Sequence, residues 1–219
     1  MIKLFLEGVK HMKIFENIDS KNKYKLLHSF RADTYNYKPN TSIINIVSEN
    51  NIICLITKGS VNLIRNNETG NSYIIEKIEE NNLLGSFIYN INDFDFDVIT
   101  TEETEIISMN YYDLLNYRGK NKNYNIFIKN IFQILNSKIK ENNERINILT
   151  RKGIRNKLLE YFEIMYKKNN SRNIYLPFTF TALADYIAVD RSAMARELKS
   201  LKEEGFIKTT GKRITLLYK

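Results

Sequence analysis

Arg191, Ser192 and Arg196 are the residues whose types and spacing most directly suggest chemistry. They fall in Arg191-Ser192-Ala193-Met194-Ala195-Arg196-Glu197-Leu198-Lys199-Ser200-Leu201, where Met194, Leu198 and Leu201 recur at i, i+4 and i+7. That spacing predicts a helix with one apolar side toward a core. Two guanidinium groups and a hydroxyl then lie on another side, near the N-terminal end, with small Ala193 and Ala195 keeping that face slim. A guanidinium fork matches the paired acceptors of guanine in the major groove, and a helix entering that groove by its N-terminal end delivers such side chains there. Arg191 and Arg196 stand more than one turn apart, so both are expected to project into a groove. The alternatives for these arginines are a surface pairing, Arg196 with its Ser200 or Glu203 neighbours, or Arg191 helping to cap its own helix.

Asp190 is the natural N-cap of this helix, and Thr179 that of a shorter one over Leu183-Ala184-Asp185-Tyr186-Ile187, with Ala188-Val189 turning the chain between them. Two β-like runs, Phe206 to Thr209 and Arg213 to Leu217, flank Thr210-Gly211-Lys212 and predict a hairpin with a charged tip. Thr179, Lys199, Lys212 and Arg213 are therefore candidate contacts to the phosphate backbone beside the base-reading residues. The charge agrees. Residues 151–219 hold 15 Lys and Arg against 7 Asp and Glu, so the whole formal charge of +8 lies there, while residues 1–150 balance 18 against 18. One basic third is the distribution expected of a domain that meets a polyanion.

Other chemistry is poorly supplied. No phosphate-cradling glycine loop, His-carboxylate metal spacing or nucleophile elbow occurs, and His11 and His28 are the two histidines, so the sequence reads as no enzyme. Asp93, Asp95, Asp97, Glu102, Glu103 and Glu105 crowd one region, where Asp93-Phe94-Asp95-Phe96-Asp97 reads as a strand with a solvated face ahead of a cation site. Cys54, inside Ile52-Ile53-Cys54-Leu55-Ile56, reads as a small buried hydrophobe. No apolar run reaches the roughly eighteen residues of a membrane span, and the N-terminal patch is too short and charged for a signal peptide, so a cytoplasmic protein without membrane contact is expected.

Several kinds of element must position the basic third. Helical spacing marks residues 12–30 after a cap at Asp19 or Ser20. Short β-rich runs at 43–47, 52–57, 60–65, 72–78, 87–91 and 96–109, separated by turn signals, predict a barrel or double-sheet roll. After Arg118-Gly119, residues Ile128, Phe132, Leu135, Ile139, Asn142, Ile146 and Leu149 fall at alternating steps of four and three. Such a seam predicts a helix that pairs with a second copy, Asn142 fixing register; packing on its own β-domain is the alternative. The fold class is thus α+β: an N-terminal double-stranded β-roll over 1–118, a long dimerisation helix over 119–149, and a C-terminal winged helix-turn-helix over 150–219.

With those residues in view, the sequence resembles the Crp-Fnr regulators, in which a β-roll effector domain, a long dimer helix and a winged helix follow in that order. Leu183 through Leu198, with Glu204-Gly205-Phe206-Ile207, resembles the family's turn and recognition helix. Gly59, Gly70 and Gly85 look like turn glycines of its β-roll, and Glu105-Ile106-Ile107-Ser108-Met109 like the strand that closes it. The resemblance implies a transcription regulator acting as a homodimer on an approximately palindromic duplex, with RNA polymerase among the expected partners. The cyclic-nucleotide binders of the family carry Gly-Glu and then Arg-Ser or Arg-Thr around the phosphate. Here the pair is Gly85-Ser86, the arginine's place falls near Phe94-Asp95, and Lys77 is the one basic residue between Arg65 and Arg118. Cyclic AMP is therefore not expected as effector, and the effector is unknown. One cysteine and two histidines support neither an iron-sulfur cluster nor haem, so no cofactor is expected. The competing reading is a dimeric small-molecule sensor whose basic domain binds nucleic acid without sequence choice or docks a protein.

Overall fold

The computed structural model describes residues 12–66, 72–85, 88–89, 95–119, 121–177 and 179–218, and the chain divides into two compact units, Met1–Asn136 and Ser137–Lys219. Gly70, Ser86, Asp93, Phe94 and His11 lie outside the described residues.

The described part of the first unit begins with a short 3-10 turn at Lys13–Phe15 and helix α1 (Ser20–Ser29), whose N-cap Asp19 accepts a hydrogen bond from the Asn22 backbone N–H at 3.0 Å. Strand β1 (Asp33–Tyr37), helix α2 (Ile44–Val47), and strands β2 (Ile52–Lys58), β3 (Ser60–Asn66), β4 (Ser72–Glu79), β5 (Leu83–Leu84), β6 (Phe96–Thr100) and β7 (Thr104–Asn110) follow, then helix α3 (Tyr111–Leu115). They form an antiparallel sheet β1-β7-β2-β5 and a second one β4-β3-β6. Side chains from both meet in one core, Cys54, Ile56, Leu84 and Ile106 from the first and Val61, Leu63, Ile78 and Val98 from the second. This is the expected roll. The other side of β2 and β7 presents Ile53, Leu55, Ile107 and Met109 to α1 and its neighbours. Burial on two faces explains why Ile52 to Ile56 is a continuous apolar run where a half-exposed strand would alternate. Cys54 is fully buried, and burial pushes its thiol up to about 12, so it behaves as a hydrophobe.

Some strand expectations give way. Within 43–47 the structure has a short helix, Ile44–Val47 with Ile43 as its N-cap, because Ile43 and Val47, four apart, both drop into the roll core; a short apolar run carries no periodicity that separates helix from strand. The run 96–109 is two strands, β6 and β7, broken at 101–103, where the chain passes from one sheet to the other. Of the strand expected at 87–91, only Ile88 and Tyr89 are described, and they sit in a turn, where both backbone N–H groups donate to the Gly85 carbonyl at 3.0 Å. Gly59 is required where β2 passes to β3: its φ is +82°, and a Cβ there would meet the Glu103 carbonyl oxygen at 2.5 Å.

Helix α4 (Lys122–Leu149) is capped by the Asn121 side chain, which accepts from the Asn123 and Tyr124 backbone N–H groups at 3.0 and 3.1 Å. Its first half packs in the first unit through buried Tyr124 and Phe127, with Ile128 and Leu135 partly covered. Asn130, also buried, donates from Nδ2 to the carbonyls of Ile14 at 3.1 Å and Glu16 at 2.9 Å, tying the N-terminal turn to α4.

In the second unit Ile148 closes the last turn of α4 into a separate core with helix α5 (Ile154–Asn169), strand β8 (Asn173–Tyr175), helix α6 (Phe180–Tyr186), helix α7 (Arg191–Glu203), and strands β9 (Ile207–Thr210) and β10 (Arg213–Leu216). The sheet order is β8-β10-β9, all antiparallel.

Asn130→Ala is expected to leave two carbonyls without their donor and lower stability by about 1–3 kcal/mol, read from chemical denaturation of the full chain. An unchanged denaturation midpoint would remove this assignment.

Candidate nucleic-acid interface

The two short helices that define the site are each started by a side chain the sequence identifies. Thr179 Oγ1 accepts from the Ala182 N–H at 3.2 Å at the head of α6, and an Asp190 carboxylate oxygen accepts from the Ala193 N–H at 2.7 Å at the head of α7. Between them the chain reverses through Ile187, Ala188 and Val189, with Ala188 left-handed at φ 51°. Met194, Leu198 and Leu201 are buried as their spacing predicts, in one core with Leu158, Phe162, Leu183, Ile207 and Ile214. Burying that side of α7 fixes which side faces solvent.

Ser192, Arg196 and Lys199 are exposed. At about 100° per residue they fall within roughly 60° of one another, one stripe along α7, while Arg191 lies about 140° around the helix from Arg196. The structure therefore brings Ser192, Arg196 and Lys199 together and sets Arg191 at the flank of the first turn. Arg191 and Arg196 form no ion pair among the described residues. The carboxylates near Arg196 are engaged elsewhere: Glu203 pairs with Lys199 at 3.7 Å, and Glu197 and Glu204 face Arg155 of α5. Ser200 is taken too, since its Oγ donates to Glu204 at 2.8 Å. The pairing of Arg196 with Ser200 or Glu203, left open by the sequence, is absent.

The wing has two distinct faces. Ile174, Ile207, Ile214 and Leu216 point into the core, and the cross-strand rows Tyr175–Arg213–Thr210 and Asn173–Thr215–Lys208 point out. Gly211, at φ 56°, makes the turn beside exposed Lys212. No acid occurs on the three strands, so Lys208, Lys212 and Arg213 form an uncompensated cationic surface. Strand β8 has no counterpart among the sequence expectations; Asn173-Ile174-Tyr175 is too short to announce itself.

Three further residues escape a reading of the sequence. Arg155 makes a two-pronged contact with Glu204, one arm at 2.9 Å, and its guanidinium lies 5.2 Å from the Phe206 ring centre, anchoring the far end of α7. The Arg155 and Ser200 hydrogen bonds hold the Glu204 carboxyl down to about 2. Lys157 Nζ donates to the carbonyls of Ile187 at 3.1 Å and Ala188 at 3.3 Å, and Arg145 Nε to that of Tyr186 at 3.2 Å. These partners lie thirty or more residues away in the chain, so no local motif marks them.

In the first unit four acids of the acidic cluster have structural partners. Asp97 accepts from Ser42 Oγ at 2.5 Å, Glu102 from Ser60 Oγ at 2.7 Å and Glu105 from Thr57 Oγ1 at 2.6 Å, while Glu103 pairs with Lys58 at 3.8 Å. Among the described residues no group of His, Cys, Asp and Glu is placed to hold a metal, and no helix is long and apolar enough to cross a membrane.

Residues 141–218 match the Crp-like helix-turn-helix domain. Among solved structures, CprK complexed with OCPA shares 15% identity over 89% of this chain and 91% of that chain, with a TM-score of 0.68. A CooA variant from Carboxydothermus hydrogenoformans shares 16% over 88% and 85%, at 0.62. The c-di-GMP responsive global regulator CLP of Xanthomonas campestris shares 15% over 92% and 100%, at 0.58. At these identities the likeness is one of fold, and it is the fold the sequence predicts: sheet-rich N-terminal domain, long helix, and helix-turn-helix. No curated protein sequence matches the chain.

Because the folded carboxyl of Glu204 sits near 2 and an ordinary one near 4.5, its contribution to stability is complete above pH 4.5 and is lost as pH falls toward 2. The melting temperature of the native chain minus that of Glu204→Gln should be positive and flat from pH 5 to 7 and shrink between pH 4.5 and 2. A difference independent of pH would refute the pairing.

Proposed function

We propose that this chain, with its Crp-like helix-turn-helix domain, is a transcription regulator that reads an approximately palindromic duplex as a homodimer and needs no cyclic nucleotide. The observation that carries this reading is the exposed Ser192–Arg196–Lys199 stripe, on which Arg196 is held without a carboxylate partner while the carboxylates of α7 and its C-cap are bound elsewhere. A guanidinium left in that state is suited to the O6 and N7 acceptors of guanine, worth about 1–3 kcal/mol of discrimination. Arg191 at the flank, with Thr179, Lys199, Lys212 and Arg213, is suited to phosphates, and Thr179 retains its hydroxyl proton for that purpose while its oxygen caps α6.

Self-association is supported by what α4 leaves uncovered. Phe132 is 60% exposed, Ile139 57% and Ile146 54%, and Leu149 and Asn142 are exposed as well, all at seam positions. Large apolar side chains at heptad spacing on a helix surface fit a second copy of the same helix. Two copies would present two α7 helices to major grooves one turn of DNA, about 34 Å, apart. Independence of cyclic nucleotide is supported by the roll. Arg65 lies over the Phe96 ring at 5.4 Å, Lys77 pairs with Glu79 at 3.5 Å, and apolar side chains fill the space between the sheets.

Selection of bound fragments from random duplex DNA, with no nucleotide added, should enrich an inverted repeat, and cyclic AMP should not change the outcome. Recovery of no enriched sequence would refute specific regulation in favour of nonspecific nucleic-acid or protein binding. On the recovered duplex, Arg196→Ala should cost about 1–3 kcal/mol and relax one position, whereas Lys212→Ala should weaken all duplexes alike and reduce the salt slope by about one. Equal losses on selected and scrambled DNA for both variants would overturn these roles. Ile139→Glu should convert the dimer to monomer in sedimentation and abolish the preference for paired half-sites; an unchanged sedimenting species would place the interface elsewhere.

A further inference from the structure

Helix α6 ends without a glycine, and its carbonyls can be accounted for one by one. Those of Leu183, Ala184 and Asp185 accept from the backbone N–H groups of Ile187, Val189 and Ala188 at 3.0, 3.0 and 3.1 Å, all within the turn itself. The next three, those of Tyr186, Ile187 and Ala188, are met by cations from other helices, Arg145 of α4 for the first and Lys157 of α5 for the other two. The Arg145 guanidinium also lies over the Tyr186 ring at 5.2 Å, and that ring meets Tyr161 of α5 edge-on with centres 6.0 Å apart. Neither cation forms an ion pair among the described residues; both are directed at backbone. A positive charge at a helix C-terminus also opposes the helix dipole.

The turn so held is the one from which α7 departs, and Ala188 at its centre is left-handed, a conformation that an L-residue leaves readily unless its neighbours are fixed. Arg145 stands next to Ile146, an exposed seam residue of α4. We propose that Arg145 and Lys157 are positioning residues for sequence-specific binding: by fixing three consecutive carbonyls they set the angle at which α7 leaves its turn. Selectivity then depends on two cations that do not touch DNA. This rests on the reading of α7 as a DNA reader. Reading by bidentate hydrogen bonds tolerates little angular play, whereas attraction to phosphates tolerates much, so loosening the turn should remove selectivity before affinity.

The test uses the full-length protein, the selected duplex and a scrambled duplex of equal length. Arg145→Met and Lys157→Met should each lower the ratio of selected to scrambled affinity about tenfold, with Arg145→Lys and Lys157→Arg restoring most of it. Lys152→Met, which removes an exposed cation that does not touch the turn, should leave the ratio unchanged. Amide hydrogen exchange over residues 184–193 should accelerate in both Met variants in the absence of DNA. An unchanged ratio, an equal fall with Lys152→Met, or a lowered ratio without faster exchange would each overturn the proposal. Failure of the native protein to select any duplex would instead refute the DNA reading, and hydrogen exchange alone would then decide whether the two cations hold the turn.

Discussion

Met194, Leu198 and Leu201 commit one side of α7 to the C-terminal core, and what that helix can offer a partner follows from the side that remains. A helix of this length has little stability alone and is kept by the apolar stripe it buries. The same burial sets the rotation that brings Ser192, Arg196 and Lys199 outward together. Asp190 fixes where the helix begins, and Arg155, through Glu204 and Glu197, fixes where it ends. The geometry of the candidate interface is therefore a consequence of packing on the opposite side, with polar contacts deciding only the two ends.

Much of this is legible in the chain, and for a common reason. The caps Thr179 and Asp190, the i, i+4, i+7 pattern of α7, the glycine turn at Gly211 and the seam of α4 are all signals carried by residues close in sequence, where local geometry translates spacing directly into position. The strands at 52–58, 60–66 and 72–79 are similarly open to reading, since turn residues separate them. Elsewhere the deciding contact is distant. Residues 43–47 are equally apolar as strand or helix, and only the core into which Ile43 and Val47 fall chooses between them. The break at 101–103 depends on hydroxyls of Ser60 and Thr104 that cross the roll. No spacing rule reaches from Arg145 or Lys157 to the carbonyls they hold.

The distribution of charge takes on a meaning in the structure that counting does not provide. Equal numbers of acids and bases in the first 150 residues are not an idle balance, because acids of the 97–105 stretch bind hydroxyls and a lysine that hold the turns of the roll. In the second unit, cations on and beside α5 largely meet carboxylates, as Arg151 does with Glu160 and Lys167 with Glu163. Arg191 and Arg196 on α7, and Lys208, Lys212 and Arg213 on the wing, meet no carboxylate among the described residues. A net charge of +8 is thus concentrated by pairing as well as by composition, which sharpens the local field that a polyanion would encounter.

The left-handed Ala188 carries a consequence for how this turn can drift over time. Holding an L-residue there costs about 1–2 kcal/mol, and the penalty grows for branched side chains. Of the residues reachable by small steps, glycine relieves the strain, asparagine and aspartate tolerate it, and valine or isoleucine do not. The corner joining the two helices therefore has a narrow substitution spectrum although Ala188 itself is exposed and contributes nothing to any core. Variation in what the protein recognises is channelled to Ser192, Arg196 and their neighbours, where side chains can change without moving the backbone that carries them.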